Sequence, residues 1–556
     1  LQNRTAKRRV AGQRMPSTPT SKSQVQAYKF VLRRMQSALV RRDAVMLHDP
    51  MRTHSRATII GVVIGVVGLA GAGVFGLISP SPQVPNSQGI VVSQQSGSVY
   101  VLLKRKNGSK ELIPTFNLAS ARLILAAQSQ QSSGTGGQGA NPSGGSSTPQ
   151  VATAQAVDDS QLQGIAVGRL TGIPDGPSLL PSDPKQQVKG NWAVCDDIAR
   201  NETLPDPTSE GKVSTTVLAG VRDLGKALPA GQSLLVKSPE GKTYLIYRTP
   251  TNANQPQAEA VRAQLDLTTP AVRSTFNPNN LPPRPITNGL LNAIPSVQPL
   301  AVPKVAGANT QSRFNLGVNT GGVVQVHPPG QTAEFYLVLA DGLQTVSQSV
   351  ANLVQSYNSQ GNTQVTLVRQ DQIASIPPQP DEVDVSNFPG AVPQVLKPEN
   401  YPTVCLGWSP NTSDPKKPSQ HTVITIGTRV PVPQGLSSVA IGQPNADGQL
   451  VNHFFMPAGH AAVVRSAQSA ADFNRGPMFL VSDRGIKYGI PDTKTLGELG
   501  LSEVDPAPDA IVRLLPSGAQ LDTGSATRTF DTVPVPASAG RYPSTGAKPQ
   551  AAPSGN

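Results

Sequence analysis

The stretch LLVKSPEGKTYLIY, Leu234–Tyr247, joins two apolar runs through Ser238-Pro239-Glu240-Gly241. Leucine, valine, isoleucine and tyrosine suit a pleated, half-buried surface and Pro-Glu-Gly supplies turn geometry, so the pattern predicts a β-hairpin. The layout recurs in IVVSQQSGSVYVLL (Ile90–Leu103), VVQVHPPGQTAEFYLVL (Val323–Leu339) and AVVRSAQSAADFNRGPMFLV (Ala462–Val481). Three copies continue into a turn in which Gly follows a polar residue, at Asn107-Gly108, Asp341-Gly342 and Arg484-Gly485. Helical patterns follow, as in NLASARLILAAQ and VSQSVANLVQSY, so the unit reads as β-β-β-α. The second copy departs, with RTPTNANQPQ before AEAVRAQL.

Aromatic markers of the four units stand at Tyr100, Tyr244, Tyr336 and Phe479, at intervals of 144, 92 and 143. First to third is 236 and second to fourth is 235, the spacing that duplication of a pair leaves. The expected fold is α+β, with a β-rich, repeat-containing region that carries a pseudo-two-fold internal duplication. Two segments stand apart from it. QSQQSSGTGGQGANPSGGSSTPQ, Gln128–Gln150, has the composition of a flexible insertion, and the tail from Ala537 is too poor in apolar residues to fold.

Upstream, RTHSRATIIGVVIGVVGLAGAGVFGLISP (Arg52–Pro80) contains a charge-free run. Ala57–Ile78 is 22 residues, which as a helix measures about 33 Å against a hydrocarbon core of about 30 Å. It is long enough to cross a bilayer once. A cleaved signal peptide fits poorly, because its apolar core is about 7–15 residues and its leader short, whereas 56 residues precede this span. Gly61, Gly65, Gly68, Ala72 and Gly76 share one face of the helix. That face suits close packing on another membrane helix, although glycine is common in such spans generally.

Charge sets the orientation. Residues 1–56 carry 13 Lys or Arg against Asp43 and Asp49, a net +11 of the chain's +13. Basic flanks stay on the cytoplasmic side, so the arm is expected inside and the β-rich region outside. The basic character belongs to the arm and is no nucleic-acid footprint over a domain. Within the arm, Tyr28, Leu32, Met35 and Leu39 form a stripe, with Arg33, Arg34, Arg41 and Arg42 supplying charge. Such an amphipathic helix suits an anionic leaflet or a cytoplasmic partner; a solvated connector is the plain alternative. Met15 is the first methionine, and the natural start is expected there.

The expected organisation is a basic arm (1–56), a transmembrane helix (57–78), a first repeat (79–127) and the insertion (128–150). A central segment (151–220), second repeat (221–310), third repeat (311–375), second central segment (376–445), fourth repeat (446–536) and tail (537–556) follow.

The chain has two cysteines and two tryptophans: Cys195 follows Trp192 in NWAVCDD, and Cys405 precedes Trp408 in YPTVCLGW. Outside the cytoplasm a lone pair of cysteines reads as one disulfide, closing a loop of about 210 residues; two buried thiols are the alternative. Labelling before and after reduction separates them. Gly241-Lys242-Thr243 ends like a phosphate loop, but the glycine such a loop needs five residues earlier is Val236, and the tripeptide sits in a hairpin turn. No G-x-S-x-G, H-E-x-x-H or C-x-x-C occurs. His453 and His460 are seven apart, which suits a strand or loop better than a metal site. Asp196 and Asp197 could serve acid–base work, but nothing in the pattern selects them. No catalytic residue, metal or cofactor is assigned.

QVQAYKFVLRRMQSALVRRDAVMLHDPMRTHSRA followed directly by one span, then NLASARLIL, GIPDGP, WAVCDD, VCLGW and LLPSG, resembles the EccB family of type VII (ESX) secretion systems. The resemblance runs from about Ser23 to Thr523. It implies a cytoplasmic arm among other core subunits, one inner-membrane helix, and an elongated periplasmic region of repeats around a central domain. It also implies assembly with EccC, EccD, EccE and a mycosin protease, pairing of copies in the periplasm, and a disulfide between Cys195 and Cys405. An ATPase role is attributed to the family, and this sequence offers no phosphate loop for it. The expected function is that of a structural and assembly subunit. A cell-wall-binding module, which peptidoglycan pull-down would reveal, and an ATP-hydrolysing subunit are the rivals.

Overall fold

The computed structural model describes residues 21–41, 57–69, 84–105, 107–133, 151–208, 211–250, 260–414, 416–442 and 451–533. The chain divides into two compact units, Leu1–Gln83 and Val84–Asn556. In the first, Lys22–Arg41 is an α-helix and residues 57–69 are helical. Among the described residues no helix is long and apolar enough to cross a membrane. The remainder of the expected span, with Ala72 and Gly76, lies outside the described residues, as does the tail from Ala537.

The second unit contains four copies of one topology. The first has strands Gly89–Ser93, Val99–Lys104 and Lys110–Thr115, a helix Leu118–Ser133, and a further strand Ala154–Val157. The fourth has Ala461–Ala467, Met478–Ser482, Lys487–Ile490, helix Thr493–Glu498 and Asp505–Pro508. In each copy the first three strands are antiparallel neighbours, and the last lies parallel to the first on its free side, in the order 3-2-1-4. A parallel partner cannot be reached by a tight turn, so the helix serves as the crossover. The unit is therefore β-β-β-α-β, one strand more than its sequence shows.

The second copy also obeys this plan. Ala260–Leu265 is its third strand and Pro270–Phe276 its helix, closing on Arg284–Pro285. In the third, Val323–Val326, Glu334–Val338 and Leu343–Val346 precede helix Gln348–Tyr357 and strand Thr366–Leu367. Each aromatic marker faces a valine across its hairpin: Tyr100 on Val91, Tyr244 on Val236, Tyr336 on Val324 and Phe479 on Val464. Aromatic and β-branched side chains so opposed stabilise by about 0.2–1 kcal/mol per pair. In the first copy the helix continues to Ser133, past the residue at which the composition changes, because Ala126, Ala127 and the following Gln and Ser residues remain compatible with helix. The rest of the insertion lies outside the described residues.

Packing explains why the hairpins are nearly continuous in apolar residues. On the second copy Leu235, Leu245 and Tyr247 join a core with Val323, Leu337 and Leu353 of the third, while Leu234, Val236 and Ile246 face the central sheet. On the fourth, Val463, Leu480 and Tyr488 join Ile90, Val101 and Leu123 of the first, while Ala462, Val464 and Val481 face the centre. Sheets buried on both faces lose the polar alternation of a solvated sheet. Thus the first copy packs on the fourth and the third on the second.

Close packing also fixes backbone positions. A Cβ at Gly476 would lie 1.6 Å from the Ser466 carbonyl oxygen, where the Ser466 amide donates to Pro477 at 2.9 Å. Gly476→Ala is expected to open this hairpin and destabilise by about 3 kcal/mol or more, read as a shift in the denaturant midpoint.

Candidate functional site

The centre of the second unit is a seven-stranded sheet in the order 439–440, 453–455, 213–219, 192–198, 403–411, 419–427, 226–227. Its outer strands interlock the two halves of the chain. Lys226–Ala227, which leads into the second copy, pairs with Ser419–Gly427, and His453–Phe455, which leads into the fourth, pairs with Val213–Ala219.

The middle pair sets Cys195 opposite Cys405 and Trp192 opposite Trp408. The cysteines are joined in a disulfide with their Cα atoms 3.9 Å apart, spanning 210 positions. A three-residue offset along a strand reverses the face. The disulfide accordingly packs with Ala193, Leu218 and Phe455, while the tryptophans join the opposite core, where Trp408 meets Phe473 edge-to-face at 6.0 Å.

Asp196, on the tryptophan face, is almost wholly buried. Its carboxylate accepts from the Thr215 hydroxyl at 2.8 Å, the Thr287 amide at 2.7 Å and the Thr287 hydroxyl at 2.9 Å. Thr287 caps the short helix Asn288–Ala293, so the carboxylate ties the second copy to the central sheet. Arg284 is buried nearby and donates to the Tyr401 and Pro402 carbonyls at 2.9 and 2.8 Å. Burial lowers the Arg284 guanidinium to about 10, against the opposing pull of Asp196 and Asp197. Burial likewise pushes the Asp196 carboxyl up, with its three hydrogen bonds and Arg284 resisting. Asp197 accepts from the Thr403 hydroxyl. Both carboxylates are thus engaged in holding strands together. Arg284 carried no sequence signal beyond its place between prolines in PPRPI.

Gly241-Lys242-Thr243 occupies the turn between Gln232–Lys237 and Thr243–Arg248. Gly241 has φ +85°, and its amide donates to Ser238 at 2.9 Å. A turn so closed presents no loop for phosphates. His453 opens a central strand and shares a 3.2 Å hydrogen bond with the Ser214 hydroxyl.

In the first unit, Tyr28, Leu32, Met35 and Leu39 lie on the helix with 68%, 43%, 58% and 79% exposure, an uncovered apolar stripe. Arg33 and Arg34 are exposed, Arg41 closes the helix, and Arg42 lies outside the described residues. Gly61, Gly65 and Gly68 lie on the helical stretch 57–69, with open space where a Cβ would stand.

Fold and centre together define a scaffold of repeated β-β-β-α-β units clasped by a buried disulfide and by the hydrogen bonds of buried Asp196 and Arg284. The family model described as "Type VII secretion system ESX-1, transport TM domain B" matches residues 17–535, and the chain belongs to this family, EccB. It is 30% identical to the ESX-1 secretion system ATPase EccB1 of Mycolicibacterium smegmatis (strain MKD8), over 93% of this chain and 96% of that protein. It is 29% identical to the ESX-3 secretion system ATPase EccB3 of Mycobacterium tuberculosis (strain ATCC 25618 / H37Rv), covering 92% and 90%. A chain of an intact ESX-5 inner membrane complex is similar at TM-score 0.64 and 25% identity, over 95% of this chain and 99% of that one. The EccB3 dimer from the ESX-3 core complex is similar at TM-score 0.60 and 26% identity, over 79% and 100%.

Proposed function

We propose that the chain is a structural and assembly subunit of a type VII secretion membrane complex, with a cytoplasmic arm, a single span over Ala57–Ile78 and a periplasmic scaffold in which copies pair. The observation that carries this reading is the likeness to a chain of the ESX-5 inner membrane complex over 95% of this sequence. The net +11 before the apolar segment supports the orientation. The intervals of 236 and 235, with the first copy packed on the fourth and the third on the second, support duplication of an ancestral pair. Partners of the EccC, EccD, EccE and mycosin classes follow from the same reading.

Mild-detergent extraction of the tagged chain, native-gel sizing and mass spectrometry test it. Comigration in a very large particle with a motor ATPase and a many-span protein is expected; recovery as a monomer or small homodimer would instead indicate an anchored envelope-binding protein. Leu32→Glu with Leu39→Glu is expected to release the chain from that particle and leave the denaturant midpoint of the β-rich core unchanged, because the stripe belongs to the first compact unit and the core to the second. The relatives' names include ATPase. ATP hydrolysis by the purified chain that vanished on one substitution would add an enzymatic role to the scaffold.

A further inference from the structure

The disulfide face of the central sheet is covered differently from the tryptophan face. Two loops, 220–225 and 427–436, wall an open cleft of about 760 Å³ whose floor includes Cys405 and Thr425. Leu224 packs the first loop against the sheet over Gly407, where a Cβ would push its Cδ1 aside. Val432 and Phe455 continue the apolar lining.

Three polar features of this cleft have no use within the fold. Thr425 is 4% exposed, and its hydroxyl has no hydrogen-bond partner among the described residues. Threonine in such a place ordinarily satisfies its hydroxyl; this one is shielded beneath the cleft floor, where a turn of its side chain would bring it to a ligand. At the rim, Arg222 and Arg429 are exposed and form no ion pair among the described residues, while the neighbouring Asp223 accepts from the Gly225 amide within its own loop at 3.0 Å. The two-residue strand Lys226–Ala227 ends the sheet, with no strand on its outer side among the described residues. Ala227 pairs directly with Thr425, so that free edge runs beside the unpaired hydroxyl.

We propose that this cleft binds an extended segment of a partner protein in which a carboxylate side chain lies beside an apolar one. The free edge supplies backbone donors and acceptors to a passing chain. The hydroxyl and the two guanidinium groups select a carboxylate, and the apolar floor takes its neighbour. A trough open to solvent suits a chain running through it better than a small molecule, which pockets mostly enclose. The tail of this chain does not match, because the only charged side chains in Ala537–Asn556 are Arg541 and Lys548.

The test is photo-crosslinking in native membranes, with the full chain carrying benzoylphenylalanine at Leu224 or Val432, and at exposed Tyr357 of the third copy as the reference position. The expected result is an adduct at the two cleft positions to one protein, absent at Tyr357, with the attachment mapping within a few residues of an Asp or Glu. Arg222→Glu with Arg429→Glu is expected to lower its yield about five-fold or more, and the near-isosteric Thr425→Val about two-fold or more. An intact disulfide and unchanged tryptophan emission verify that these variants fold. Adducts only to lipid or to the chain's own tail, an adduct indifferent to the charge reversals, or none above the Tyr357 reference would each overturn the proposal.

Discussion

Arg284→Leu is expected to destabilise the central sheet by about 3–5 kcal/mol, because it removes two buried, charge-assisted hydrogen bonds to backbone carbonyls. The guanidinium donates to two backbone carbonyls at the entrance of the Thr403–Asn411 strand and opposes the charge on Asp196. Its loss leaves the Tyr401 carbonyl without that donor, the Pro402 carbonyl with the Ile198 amide at 3.2 Å, and Asp196 without the nearby positive charge. The two tryptophans of the chain both lie in this sheet, so their fluorescence reports its unfolding directly in denaturant titrations. The pH dependence has a defined sign. Burial raises Asp196 in the folded state, so between the ordinary Asp range and that raised value the folded chain holds a proton the unfolded chain has released. This group's contribution therefore falls as pH rises through that window. Asp196→Asn should flatten the slope. An unchanged midpoint for Arg284→Leu would mean that the two guanidinium hydrogen bonds do not hold the second copy to the centre.

The second large effect concerns the disulfide. Cys195→Ala with Cys405→Ala releases a loop of 210 positions from the unfolded chain's constraint, and chain entropy sets the loss at about 4–5 kcal/mol as an upper figure. The cysteines lie directly opposite each other in a six-pair antiparallel register, so the strands should still pair without the bond. Tryptophan fluorescence of the oxidised and reduced wild-type chain should give midpoints separated by the same amount as wild type and the double variant. A double variant as stable as the oxidised protein would show that the interlocked strands alone hold the halves together.

Much of this architecture is legible in the sequence. The four hairpins, their aromatic markers and the lone cysteine pair all fall where the sequence pattern puts them, because strand alternation and turn chemistry act over a few residues. The closing strand of each unit was not readable. Arg284–Pro285 and Thr366–Leu367 are two residues long, and Asp505–Pro508 contains two prolines. Proline is tolerated there because the strand forms the edge of its sheet, an allowance that local propensity cannot reveal. The third strand of the second copy was obscured by RTPTNANQPQ, which lengthens the connection without altering the pairing.

By itself, then, the sequence determined the hairpin at the head of each repeat, the number and spacing of the hairpins, the apolar segment with its basic flank, and the residues available for a disulfide. Each rests on short-range periodicity or composition. Only the tertiary structure decided that the strands leading into the second and fourth copies cross to opposite hairpins. It alone placed Asp196 under the Thr287 cap and near Arg284, and left Thr425 unpaired beneath a cationic rim. These facts depend on which distant segments share a sheet and which face each residue then presents. Strand pairing satisfies backbone groups with little regard to side-chain identity, so the choice of distant partners falls to the packing of the whole core.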